Sequence, residues 1–420
     1  MSEIYVVAGR RMNQLARSVE TPTGSARPGY ELEWAYDSDP VRPLLMASGT
    51  QSNAFGLNLN QIPNGDFEEP FINNLPSGWS CIGPSPATRY TADKAEGDAS
   101  LRVSGSGKNV FYDHQVAAGE YLSAYAQAKN SGGVGACYAQ NLMTNMYLQP
   151  DGTWGANRNP WHVSGAAWDA KKVTFQVEDF DACGEEPTIR WIFEASPAIS
   201  ASALFDAFVV FPRIDIAILV GHNVPPSVAL QLQASKDDPF DSGKSEKIDV
   251  PHSRHTTHVE FDPLDLMLWE LTYDVGRPDG RSMYFGEIIL GQKLSLQRRF
   301  DAGVKVETAL PQDRPGDDMF GSLRVYPRAA HPRRRMSMNF SYFDDESWRE
   351  MMTTLERTRN GADAAVIIPD IDDPGSAIYG RVNQSVDWTH SSDQAENRKM
   401  GIVFDELPLP NIYPDDPEGV

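Results

Sequence analysis

Cysteine is scarce: the 420-residue chain has three, Cys81, Cys137 and Cys183. They are odd in number, far apart and outside any CxxC spacing. The expected role is that of small buried hydrophobes in a chain made in a reducing cytosol, rather than a disulfide framework or a zinc site. Long apolar runs are also missing. None approaches the roughly 20 residues that a membrane-spanning helix needs, so no membrane span is expected. Residues 1–20 carry no extended apolar stretch ahead of a small-residue cleavage site, so no signal peptide is read there. Basic charge is in deficit, with 37 Lys and Arg against 58 Asp and Glu and a net charge of −21. Phosphate backbones need a basic footprint, so a nucleic-acid partner is not expected. Helical periodicity is nearly absent too.

With 40% hydrophobic and 23% charged residues, the chain is globular, and its length predicts two or three domains. Short β-branched or alternating runs fill it, separated by Gly, Pro, Asn and Asp. Residues 214–224, IDIAILVGHNV, stand out as a buried strand closed by a tight turn. A self-contained β pattern over residues 62–212 ends just before it, with strand candidates at 100–103, 110–116, 121–129, 172–177, 189–193 and 204–210. Short strands at this spacing predict a two-sheet sandwich or jelly roll. Residues 30–36 (YELEWAY), 228–234 (VALQLQA), 267–273 (MLWELTY) and 283–291 (MYFGEIILG) supply further strand candidates. Together with 214–224 they predict a second sandwich, split by the insertion.

From residue 299 the pattern changes. Residues 321–343 read as two strands around a basic connection, followed by one amphipathic helix at 346–359. There Trp348, Met351, Met352 and Leu355 share a face, Asp344 or Asp345 supplies the N-cap, and Asn360-Gly361 supplies the stop. Residues 364–369, 378–382 and 398–404 complete a small α+β unit. The expected fold is therefore mainly β and multidomain. Residues 1–61 with 213–298 form a split sandwich, 62–212 an inserted jelly roll, and 299–420 a C-terminal α+β domain with an acidic tail.

Two resemblances refine this outline. NGDFE at 64–68, LPSGWS at 75–80, EGDASLRV at 96–103, VAAGEYLSAYAQAK at 116–129 and LFDAFVVFP at 204–212 resemble jelly-roll carbohydrate-binding modules. That family often carries a structural calcium near its first and last strands. The resemblance implies Asp66, Glu68 and Asp206 as its oxygen ligands, against the alternative that Asp66 and Glu68 are solvated turn residues. Aromatic residues on the loop-like stretch 140–168 are candidates for stacking a sugar: Tyr147, Trp154, Trp161 and Trp168, with His162, Asn157 and Asn159 as polar neighbours. The alternative is that these rings cap one end of the sandwich or pack against a neighbouring subunit.

The run IDIAILVGHNV, LQLQAS, WELTY and GEIILG resembles the discoidin-like domains of bacteriophage tail proteins. The C-terminal pattern, from RRRMSMNF through YGRV to IVFDE, resembles the C-terminal domain of the same proteins. These resemblances imply a structural protein of a phage tail tip or baseplate, forming a symmetric homo-oligomer with tube, hub or fibre proteins as partners. The inserted module would project outward, and a host surface glycan is the alternative partner in adsorption. If the insertion is independent, deleting residues 62–212 leaves a platform that folds. Arg328, Arg333, Arg334 and Arg335 read as intersubunit ion-pair residues.

No catalytic residue is assigned. The pairs Asp179/Asp181, Glu185/Glu186 and Asp317/Asp318 lack an apolar surround that would raise one pKa, and no catalytic motif stands in a supporting context, so an enzyme is not expected. His252, His255 and His258 lack the carboxylate or cysteine partners of usual zinc spacings.

Overall fold

A computed structural model describes residues 53–82, 87–95, 97–105, 108–178, 187–195, 201–234, 246–253, 256–273, 283–296, 364–382 and 398–407, together with strands at 4–8, 44–45, 305–309, 314–317, 323–326, 333–343 and 387–390. These residues are all β, with no helix among them. The helix expected at 346–359 and the strand expected at 30–36 lie outside the described residues, as do Arg328 and the Asp179/Asp181 and Glu185/Glu186 pairs.

Residues 62–212 build a two-sheet sandwich. One sheet runs in the order Trp154–Gly155, Met146–Leu148, Gly135–Asn141, Thr188–Ala195, Asn109–Gln115 and Ser80–Cys81, with His162–Val163 also pairing to Gly135–Asn141. The facing sheet runs Asp169–Gln176, Tyr121–Asn130, Ser202–Pro212, Ser100–Ser104 and Ala87–Tyr90. Alternation sets which side chains meet between them, because successive residues of a strand point to opposite faces. On Thr188–Ala195, Ile189, Trp191, Phe193 and Ala195 enter the core with Phe67, Trp79, Phe205 and Phe208. Arg190, Ile192 and Glu194 therefore face away from it. Phe193 lies edge-on to Phe205 at 4.9 Å and to Phe208 at 5.0 Å, a favoured aromatic geometry.

The strand Ser202–Pro212 is buried along its whole length, and a bulge explains how. Its register against Tyr121–Asn130 shifts between Asp206 and Val209, where Ala207 takes a φ of 47°. The extra residue changes the parity of the strand. Ala203, Phe205, Phe208 and Val210 enter the sandwich core, while Ala207, Val209 and Phe211 enter a second core on the other side. The opening turn of the module packs tightly on this bulge. Gly65 accepts the Phe208 N–H at 2.9 Å, and a Cβ on Gly65 would meet the Phe208 carbonyl oxygen at 2.0 Å. Gly65→Ala is expected to force backbone movement and cost about 1–3 kcal/mol, read as a lowered denaturation midpoint.

The second core joins sheets from both sides of the insertion. Asn53–Asn58 pairs with Leu268–Tyr273, which pairs with Leu230–Ala234 and through it with Lys247–Val250. Leu57, Leu59, Leu230, Leu232, Trp269 and Leu271 meet Ala217, Leu219, Ile288 and Leu290 there. The strand Ile214–Val220 lies between Thr256–Leu264 and Glu287–Gly291 and is also buried on both faces. Its Ile216, Ile218 and Val220 enter a third core with Val366, Ile368, Ala377 and Tyr379. That accounts for its unbroken apolar sequence, which a one-faced strand would not need. It ends at Gly221, with φ 60°, and Asn223 Oδ1 accepts the Tyr284 N–H at 2.9 Å.

Two expectations are corrected here. The module does not simply project: its Tyr125, Ala207, Val209 and Phe211 are part of the second core. Lys172 Nζ also donates to the Asp265 carbonyl at 2.8 Å, and Gln292 bonds both the N–H and the C=O of Tyr121. In addition, Ile4–Ala8 pairs with Ala365–Ile368 and Leu294–Leu296, so the first strand belongs to the C-terminal sheet rather than to the split sandwich.

Candidate functional site

The outward side of the module's larger sheet carries a compact group of polar and aromatic side chains. Strand register places them in rows. Gln140, Arg190 and Asp113 lie side by side, with Tyr147 paired to Gln140 at one end. In the next row Tyr138 and Phe111 flank Ile192. Two strand spacings separate those two rings, about 10 Å.

Both rings are covered in the same way. The Arg190 guanidinium lies 4.3 Å from the Phe111 ring centroid and bonds Asp113 at 2.7 and 2.8 Å. The Arg158 guanidinium lies 4.4 Å from the Tyr138 centroid and bonds Glu194 at 2.6 Å. Each cation is thus stacked on an aromatic face and clamped by a carboxylate. The Asp113 hydrogen bonds hold Arg190 above its ordinary pKa. Burial first, and then the neighbouring Glu194, push the Tyr138 phenol up, so it stays a protonated donor at neutral pH. The pairs cancel in charge, leaving planar N–H donors and carboxylate acceptors on a half-buried surface. That surface suits hydroxyl groups.

The aromatic residues expected to form one platform are not brought together. Tyr147 belongs to the face just described. Trp161 is only 1% exposed, with its ring edge-on to Trp191 at 6.3 Å in the core. Its faces are closed to a ligand by the core around them. His162 is buried beside it, and its Nε2–H donates to the Asp169 carbonyl at 3.1 Å. Burial pushes that imidazole below its ordinary pKa. Trp154 caps the sandwich, edge-on to Phe175, and donates its indole N–H to the Gln176 carbonyl at 2.8 Å. Trp168 reaches the opposite sheet, where it donates to Asp93 at 3.1 Å beside Lys129. The Lys129 hydrogen bonds hold the Asp93 carboxyl below its usual range.

The carboxylates implied as calcium ligands have other partners. Glu68 Oε1 accepts the N–H groups of Asp98 and Ala99 at 2.7 and 3.1 Å, and Asp66 Oδ1 accepts the Glu68 N–H. Asp206, 1% exposed, accepts the N–H groups of Ala95 and Ala207, both at 2.8 Å. The Arg89 guanidinium donates to the Glu68 carbonyl at 2.8 Å. These carboxylates are thus directed at backbone N–H donors, and no group of three or more His, Cys, Asp or Glu side chains placed to hold a metal occurs among the described residues.

Comparison with known proteins gives only distant structural likeness. No family model and no curated protein matches the chain. The xylan-binding family 22 carbohydrate-binding module of Xyn10C from Paenibacillus barcinonensis is 12% identical, with a TM-score of 0.27, over 35% of this chain and 91% of that one. The module TmCBM61, solved with β-1,4-galactotriose, is 13% identical, with a TM-score of 0.26, over 36% and 98%. The enzymatically active domain of bacteriophage CBA120 tailspike protein 4 is 16% identical, with a TM-score of 0.25, over 36% of this chain and 21% of that one. At these identities and TM-scores, none of them bears on what this chain binds.

Elsewhere, two of the predicted assembly arginines pair inside the chain. Arg334 bonds Glu406 and Arg335 bonds Asp405, each at 2.6 Å; the Arg333 side chain lies outside the described residues. His258 is buried, and its Nε2–H donates to the Ile371 carbonyl at 3.3 Å. His252 donates likewise to the Val224 carbonyl at 3.0 Å. Among the described residues no helix is long and apolar enough to cross a membrane.

Sequence reasoning missed the strand at the middle of the outward face. Gly135–Asn141, GACYAQN, has small residues where strands usually show β-branched ones. Those small residues are its inward side, where Cys137 and Ala139 lie against the large tryptophans. The usable signal was the alternation of Tyr138 and Gln140 with them.

Proposed function

We propose that the outward face of the larger module sheet binds a glycan. The supporting observation is the pair of arginines stacked on Phe111 and Tyr138 and clamped by Asp113 and Glu194. Guanidinium N–H groups left over from the clamps, with Gln140, Asp113 and Glu194, serve sugar hydroxyls, and Tyr147 supplies a half-buried ring for a sugar C–H face. The test is affinity electrophoresis or calorimetry of the full chain against a panel of soluble polysaccharides. Tyr147→Ala and Arg190→Ala are each expected to weaken binding about tenfold or more, a loss of ~1.4 kcal/mol. Trp168→Ala, on the opposite sheet, leaves it unchanged. Equal loss from all three, or no retardation by any glycan, removes the face from consideration.

The wider role we infer is that of a structural protein of a phage tail tip or baseplate, without catalytic activity, that carries this face. Support comes from the sequence resemblance and from the GHN turn, which is tied through Asn223 to the strand pair opening GEIILG. In this reading residues 62–212 are an insertion between two parts of a β platform. The platform meets tube, hub or fibre proteins, and copies close into a symmetric ring. Mass spectrometry of purified virions tests it: the chain is expected among tail components, and its absence from infectious particles rejects the assignment.

A further inference from the structure

Arg89 lies on the edge strand Ala87–Tyr90 and reaches the turn that opens the module. Its Nη2 donates to the Glu68 carbonyl at 2.8 Å and its Nε to the Phe67 carbonyl at 3.4 Å, with Nη2 3.9 Å from Glu68 Oε2. The turn is unusual in backbone as well, since Phe67 takes a φ of 60° while its ring is fully buried. Conformations of that kind persist only where the surroundings over-determine them. Glu68 then ties the turn to the loop leading into Ser100–Ser104 by accepting two of its N–H groups. That loop approaches closely: a Cβ on Gly97, at φ 53°, would meet Glu68 Oε1 at 2.0 Å.

A hard divalent cation binds through clusters of carboxylate and carbonyl oxygens. Here two carbonyls and a carboxylate converge on a guanidinium. Its charge is permanent, and its planar fork serves several oxygens at once. A second cation beside it meets like-charge repulsion at short range.

We propose that Arg89 is a built-in cation. It joins the opening turn to the edge strand and, through Glu68, to the 97–99 loop, so this chain needs no divalent metal there. The inference stands apart from the glycan reading, because Arg89 lies on the other sheet of the module and its role needs no ligand.

Thermal unfolding of the full chain in chelator and in millimolar calcium, with equilibrium dialysis against calcium, tests it. Wild-type protein is expected to melt at the same temperature in both and to retain no calcium. Arg89→Ala is expected to melt lower in chelator by about 5 °C and to regain part of that loss with calcium, because the same oxygens are then vacant. Arg89→Lys keeps the charge without the fork and is expected between the two, with no gain from calcium. A wild-type midpoint that rises with calcium, or calcium retained by wild type, overturns the proposal. So does an Arg89→Ala variant that melts like wild type, or one whose loss calcium does not touch. Should Arg89→Ala fail to fold, the wild-type dialysis and the lysine variant still decide the question.

Discussion

Deleting residues 62–212 and joining the ends with a short linker is expected to give an aggregated or partly folded chain, not a free-standing platform. The strand Ser202–Pro212 supplies one wall of the second core, and Phe211, Val209 and Tyr125 are 0%, 6% and 7% exposed there. Burying such side chains contributes about 1.5–3 kcal/mol each, so removing three costs roughly 5–9 kcal/mol. The apolar surface they cover would be uncovered as well. A loss of that size is comparable with the whole stability of an ordinary domain, about 5–15 kcal/mol. The polar ties through Asp265 and Gln292 would go with it. Size-exclusion chromatography and dye binding to exposed apolar surface provide the measurement. A soluble monomer that melts cooperatively would show that the second core closes without the module. In the full chain, Phe211→Asp should reproduce much of the defect, since it places an unpaired charge in that core.

Arg334→Ala should be far more damaging to the C-terminal sheet than Arg335→Ala. The Arg334 side chain meets Glu406 Oε1 through Nε at 3.0 Å and Nη2 at 2.6 Å, and its backbone N–H donates to Oε2 at 2.8 Å. It also serves the carbonyls of Gly375 and Ala377 at 3.2 and 2.7 Å. The Glu406 side chain is 6% exposed. Removing the guanidinium leaves a buried carboxylate and two carbonyls without these donors, a loss of about 3–5 kcal/mol. The neighbouring pair Arg335–Asp405 has similar distances, but its side chains are 48% and 33% exposed. Arg335→Ala should therefore cost about 1 kcal/mol or less. Denaturant titrations of the two variants give the comparison. Equal losses would show that burial does not set the worth of these pairs.

The contrast between these neighbours marks what sequence reading reaches. RRRMSMNF announced a strand through its alternation, and the strand Arg333–Phe343 is there. Which arginine meets a buried partner depends on Glu406 and Ala377 arriving from other strands, and no local pattern records that. The sandwich strands Ser100–Ser104, Asn109–Gln115, Tyr121–Asn130, Asp169–Gln176, Thr188–Ala195 and Ser202–Pro212 were legible for the same reason as RRRMSMNF, since each alternates or runs apolar between turn residues, whereas Gly135–Asn141 was not. The candidate face was not, because Tyr138, Gln140, Arg190 and Asp113 come from three strands and meet only through register. Trp154, Trp161 and Trp168 looked grouped because they are close in sequence. Successive strands and turns send them to the sandwich end, the core and the opposite sheet.

The sequence by itself determined the β class, the positions of the longer apolar and alternating strands and the buried nature of residues 214–220, because period-two patterning and unbroken apolar runs are local properties of a chain. Only the tertiary structure decided that Ile214–Val220 separates the second core from the third and that a bulge at Ala207 turns Ser202–Pro212 into a wall shared by the sandwich core and the second. A bulge adds one residue without leaving a motif, yet it reverses every later side chain on its strand. The same holds for Arg89. Its identity is visible in the chain, but its role depends on carbonyls 21 and 22 residues away that the folded turn alone brings to it.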